Sequence, residues 1–87
     1  MPRVFIPSQL RELTKGQPEV EAAGATVREV VAALDRRFPG LADRLCRDDA
    51  LAPNLQLSID GVFSLRGLDA RVQPISEVHF LPVFGGG

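Results

Sequence analysis

The 87 residues include one cysteine, Cys46, and one histidine, His79. A single thiol rules out an internal disulfide and leaves the cytosol as the default location. One Cys and one His cannot assemble a structural zinc site, which usually takes four N or S ligands. No third group is positioned in the sequence to orient them as a nucleophile–base pair. No apolar run approaches the ~20 residues that cross a bilayer. Met1–Pro7 carries one Arg and no adequate apolar region for a secretory signal. Neither charge sign dominates: the net charge is −1 with the signs interspersed, so the basic footprint of a nucleic-acid binder is missing. There is no P-loop and no GxGxxG. These absences leave little equipment for an enzyme acting alone and point to a protein on which others act.

What is present is an ordinary globular composition, 45% apolar and 24% charged, enough for one folded domain with a modest core. Arg3–Pro7 reads as a first strand, Val4 and Ile6 on one side and Phe5 on the other. Ser8–Leu13 is a turn of helix or a loop with Leu10 and Leu13 inward, and Thr14-Lys15-Gly16 a break. Gln17–Ala22 is a second strand with Val20 inward. Thr26-Val27-Arg28-Glu29 has the form of a capping box, in which Thr26 caps the Glu29 N–H and Glu29 returns to the Thr26 N–H. Val27, Val30, Val31, Leu34 and Phe38 then form one apolar helical face, ended by Pro39-Gly40. Leu41–Cys46 suggests a short second helix, Arg47–Asn54 a surface loop. Leu55, Leu57 and Ile59 alternate with Gln56 and Ser58, Asp60-Gly61 is a turn pair, and Val62–Leu65 starts a return strand. Leu68, Val72 and Ile75 are expected anchors in the stretch to Ser76. Glu77–Leu81 is the last strand, Val78 and Phe80 inward, His79 and Leu81 outward. His79 is expected to face solvent, with no partner carboxylate. The order β-β-α-β-(β)-β, with one amphipathic helix against alternating strands, predicts a two-layer α+β fold.

The final strand runs into Pro82-Val83-Phe84-Gly85-Gly86-Gly87. Two terminal glycines arise by chance in roughly 0.5% of chains at the average Gly usage of about 7%. Residues without a Cβ can enter a channel closed to others, and the reactive group left is the terminal carboxylate. Such an end suits a chain that is itself the substrate of a partner enzyme. A flexible linker or a scar of expression has the same appearance. The expected division is a folded body over 1–82 and a flexible glycine tail over 83–87.

The whole chain resembles the MoaD/ThiS family of sulfur carriers, which includes the small subunit of molybdopterin synthase and related cysteine-biosynthesis carriers. The resemblance is most specific in Leu81-Pro82-Val83-Phe84-Gly85-Gly86-Gly87. It is weaker in Leu10-Arg11-Glu12-Leu13 and Ala25-Thr26-Val27. Gly85 stands where many members carry a bulkier or hydroxyl residue. Ile75-Ser76 replaces the acidic residue and Gly that often precede the last strand.

The resemblance implies a ubiquitin-like β-grasp fold, a mixed sheet of four to five strands on one main helix. It implies that an ATP-dependent E1-like activating enzyme adenylates the Gly87 carboxylate and that a thiocarboxylate follows, with Gly86 beside it. A sulfur-accepting synthase or large subunit would then receive the sulfur. Gly85, Phe84, Val83, Leu81 and His79 would contact these partners, and the chain would bind no cofactor of its own. The length of Pro39–Asn54 favours a molybdopterin-type or cysteine-type branch over a thiamine-type one. Two other classes share the tail: a ubiquitin-like modifier conjugated through its terminal Gly, and a plain interaction module. With Lys15 the sole lysine, polymeric modifier chains built on many lysines are not expected.

Overall fold

In the computed structural model, which describes residues 1–83, seven strands and two α-helices follow one another. The strands are β1 (Arg3–Phe5), β2 (Glu19–Glu21), β3 (Cys46–Arg47), β4 (Ala50–Leu51), β5 (Leu55–Ile59), β6 (Val62–Ser64) and β7 (Glu77–Pro82). The helices are α1 (Val27–Arg37) and α2 (Leu41–Leu45), and 3-10 turns occupy Ser8–Thr14 and Gly67–Asp69. The main sheet has the order β2-β1-β7-β5-β6, with β1 parallel to β7 and the other pairs antiparallel. The expected α+β two-layer fold is therefore the one observed. Of the expected tail, only Val83 lies among the described residues.

The first and last strands meet at the centre of the sheet. Val4 pairs with Val78, and both are fully buried. The apolar face of α1 covers this centre: Val27, Val30, Val31 and Leu34 are buried, as is Phe38 just beyond the helix. Each such side chain is worth roughly 1.5–3 kcal/mol before the entropy of ordering it is subtracted. The capping box forms with one change. Thr26 Oγ1 accepts from the Glu29 N–H at 3.3 Å, but Glu29 Oε1 accepts from the Ala25 N–H at 3.0 Å, not from Thr26. The Ala25–Thr26 segment is drawn aside by Arg71 and Val72: Thr26 bridges Arg71, and the Val72 N–H donates to the Ala25 carbonyl. At the other end of α1, the Asp35 carboxylate accepts from the Gly40 and Ala42 N–H groups, which fixes the entry to α2.

Several expectations need correction. Strand β1 stops at Phe5, because Pro7 leads directly into the first 3-10 turn, where the Leu10 N–H bonds the Pro7 carbonyl. Leu10 in that turn is buried and Leu13 half-buried, as expected. Arg47–Asn54 is not a plain loop: β3 and β4 form a small hairpin, with Cys46 opposite Leu51 and Arg47 opposite Ala50. Its turn is Asp48-Asp49, both left-handed at φ 54° and 60°. Asp tolerates that region better than most residues. Ile75 is no anchor but 90% exposed; Ser76 beside it is the buried residue. Its hydroxyl accepts from the Gln73 N–H and donates to Asp60, and Asp60 also accepts from the Glu77 N–H. A polar clasp fills the position assigned to an apolar plug.

Candidate functional site

Strand β7 is held from both sides. Its register sets Glu77, Val78 and His79 against β1, and Val78 to Pro82 against Ile59 to Leu55 of β5. Val78 and Phe80 point into the core and are 0% and 1% exposed. Pro82 removes a donor, yet costs the sheet nothing. The bonds from β7 to β5 fall at the alternate positions, as the Val83 N–H donating to the Asn54 carbonyl at 2.8 Å indicates. The missing Pro82 N–H thus faces the β1 side, where β1 has already ended. The chain remains fixed through Val83, an exposed residue. Among the expected partner-contacting residues, Phe84 and Gly85 lie outside the described residues, as do Gly86 and Gly87, the expected reactive end.

The face of the sheet away from α1 carries the outward residues of the last strand. His79 is not simply solvated. Its ring stacks on Phe5 with centroids 4.1 Å apart and planes 5° from parallel, and its side chain is 33% exposed. The expected lack of a carboxylate is also corrected: Glu77 Oε1 lies 3.9 Å from His79 Nε2, because residues two apart on a strand share a face. The register continues the row across the sheet. His79 is opposite Ser58, and Ser58 is opposite Phe63 on β6. Alternation puts Ser58 on the outward face, yet it is buried, since His79 and Phe63 flank it. Leu81 is half-buried opposite Gln56. The result is a half-aromatic strip, Phe63–Ser58–His79–Phe5, crossing the sheet at the level of His79.

The sequence alone places His79 and Leu81 on this face but does not join Phe5, Ser58 and Phe63 to them. The alternation gave the phase of each strand, while adjacency depends on long-range pairing, above all the parallel β1–β7 contact. Cys46 stands apart on β3, half-buried, and burial pushes its thiol pKa up while Arg28 pulls the other way. Burial also works against its being a reactive thiolate. Among the described residues, no group of three or more His, Cys, Asp or Glu is placed to hold a metal ion. No helix among them is long and apolar enough to cross a membrane.

A model of the ThiS family matches residues 4–87. The chain belongs to the ThiS family. A curated relative in Mycobacterium tuberculosis, the sulfur carrier protein CysO, is 31% identical over 91 residues, covering 97% of this chain and 96% of the relative. Among solved structures, a chain of the Amycolatopsis orientalis BexX/CysO complex superposes with a TM-score of 0.92 at 31% identity, covering 100% of both chains. Small archaeal modifier protein 1 from Methanosarcina acetivorans superposes at 0.80 with 25% identity, covering 99% of this chain and 95% of that one. This ThiS-family chain thus has the ubiquitin-like β-grasp fold of its neighbours and is a homologue of sulfur carriers. The relatives named as sulfur carriers are of the CysO type, and none of those named here points specifically to molybdopterin.

Proposed function

We propose that this chain carries sulfur as a thiocarboxylate on Gly87, made by a partner enzyme and delivered to a second one. In the first step the Gly87 carboxylate oxygen attacks the α-phosphorus of ATP held by an E1-like activating enzyme. The bond to the β-phosphate breaks, pyrophosphate leaves, and an acyl-adenylate remains. In the second step sulfur from a donor attacks the acyl carbon and AMP departs with the electrons of the broken C–O bond. The carrier supplies no base, since a terminal carboxylate with a pKa of about 3.5 is already ionised at neutral pH. Its contribution is a threadable Gly86-Gly87 end and a docking face. The observation that carries this reading is the union of ThiS-family membership with a last strand pinned through Val83 beside an open face bearing His79 and Leu81. The similarity to CysO carriers favours the cysteine-type branch over the molybdopterin-type one.

The test is to incubate the protein and its Cys46→Ala variant with the activating enzyme, ATP and a sulfide source, and to read intact mass. Both should gain one oxygen-to-sulfur exchange, and fragmentation should place it on Gly87. Sulfur on the parent but not on the alanine variant would show that the transfer depends on Cys46 and would overturn the assignment to Gly87. The second reading, conjugation to lysines of other proteins, draws on the similarity to an archaeal modifier. It would appear in the host as Gly87 joined to a target lysine.

A further inference from the structure

The two edges of the sheet are unequally protected. Edge strand β2 presents Glu19 and Glu21 around buried Val20, follows Pro18, and has the Glu21 carbonyl occupied by Arg37 at 2.8 Å. Charges and proline are the usual means of keeping an edge from pairing. Edge strand β6 has none of these. Its sequence Val62-Phe63-Ser64 runs into Leu65, and Val62, Phe63 and Leu65 are 68%, 64% and 102% exposed.

The register also leaves this edge open to pairing. Asp60 and Gly61 sit at φ 52° and 85°, a two-residue turn of the kind that bonds its flanking residues Ile59 and Val62 to each other. Bonded and non-bonded pairs alternate, so Ser58 and Phe63 form a non-bonded pair. The Asp60 N–H donating to Glu77 and the Val83 N–H donating to Asn54 agree, since both place the even residues of β5 in bonds with the β7 side. The N–H and carbonyl of Phe63 therefore point away from β5, toward the open edge.

Beneath that edge, on the helix side of the sheet, lie two hollows. One, of about 450 Å³, is floored by Leu55, Leu57 and Leu68. The other, of about 580 Å³, is lined by Ile59, Val62 and Ala70. Both are bordered by Phe63, Ser64 and Leu65, the first extending toward Leu55 and the second toward Ile59. Arg66 borders both hollows and Arg71 the second; neither forms an ion pair among the described residues.

We propose that the β6 edge is a docking site for an extended segment of a partner protein, apolar at alternate positions and flanked by acidic residues, which adds to the sheet as a sixth strand. The backbone of Phe63 supplies the pairing, the two hollows take the inward side chains, and Arg66 and Arg71 select the acidic flank. A second copy of this chain fits less well. The acid flanking its own β6, Asp60, already accepts from Ser76 and Glu77.

The probe is an acetylated, amidated peptide of sequence Asp-Asp-Val-Ile-Val-Ile-Asp-Asp, titrated into the labelled protein and followed by amide NMR shifts. Two controls replace its flanks with Lys or methylate alternate backbone nitrogens. The expected result is shifts centred on Val62 to Leu65 with the acidic peptide, and their loss with the methylated one. Binding should be about threefold to tenfold weaker for the Lys-flanked peptide. Reversing both arginines, Arg66→Glu with Arg71→Glu, should invert that preference. Equal binding of the two flanks, shifts centred on His79 and Leu81, or no shifts at all would overturn the proposal. So would concentration-dependent self-association through the same amides without peptide.

Discussion

Truncating adjacent residues of the last strand separates its two faces. Phe80 is 1% exposed, in the row that also contains Val78 and, across the sheet, Leu57. Phe80→Ala removes a benzyl group from a packed interior and should cost about 3–5 kcal/mol, transfer and cavity together. A domain of this length is expected to have roughly 4–13 kcal/mol in all, so the loss is a large share of the total. Phe80→Leu, nearer in volume, should cost under ~1.5 kcal/mol and remain measurable. His79→Ala gives up a one-third exposed imidazole and its stack on Phe5. Such a stack contributes about 0.5–1.5 kcal/mol. Urea unfolding, with a slope of about 1 kcal/mol/M for a small domain, should move the midpoint by about 0.5–1.5 M for His79→Ala and by about 3–5 M for Phe80→Ala. The same His79→Ala protein, folded, should bind its activating enzyme more weakly. Equal destabilisation by the two alanines would refute the strand phase, and with it the assignment of His79 to an open docking face.

Removing Gly86 and Gly87 should abolish ATP–pyrophosphate exchange with the activating enzyme while leaving the melting temperature nearly unchanged; exchange by the truncated protein would refute the tail's role. Gly24→Ala should destabilise by about 1–3 kcal/mol in the same urea assay. An added Cβ would lie 2.7 Å from the Val30 backbone nitrogen and 2.9 Å from the Glu29 Cβ, and the helix start cannot yield as a flexible side chain would. The Asp60 carboxyl pKa is held below its ordinary value by the Glu77 N–H and then by the Ser76 hydroxyl. Its stabilising effect is therefore present above the ordinary carboxylate pKa and lost as pH falls through the lowered folded value. Asp60→Asn should flatten the acid limb of a stability–pH curve in that window, and an unchanged limb would remove the clasp from the account.

Much of the fold was legible because local chemistry and tertiary packing agree. The α1 face of Val27, Val30, Val31, Leu34 and Phe38, the alternation in Leu55–Ile59 and the Asp60-Gly61 turn all appear where periodicity puts them. The misreadings share a cause. Ile75 reads as an anchor because its side chain is apolar, yet Ser76 takes the buried position through hydrogen bonds to Gln73 and to Asp60, the latter in a turn that no short window joins to it. The β3–β4 hairpin was hidden by polarity: Arg47-Asp48-Asp49 has the composition of a loop, and its strands contribute two residues each. In the site, the phases of Phe5 and His79 were readable separately. Their stacking follows from the parallel register between the first and last strands, a contact across most of the chain.

That register also limits how the proposed transfer can work. The chain leaves the sheet at Val83, held by Asn54, and four residues span at most ~14 Å when fully extended. A partner that reaches the Gly87 carboxylate must therefore place its reacting atoms within about that distance of the end of β7. A partner that docks over the sheet beside this root meets Leu81 and Gln56, and two residues farther back along β7 the His79–Phe5 stack. Docking and threading are thereby coupled: side chains fixed by a three-strand ladder set the position of the root, while glycines without side chains enter the site. A longer glycine run would loosen this coupling. Inserting glycines between Phe84 and Gly85 should lower the rate of adenylation even though the reactive end is chemically unchanged, because each added residue enlarges the volume the carboxylate must search.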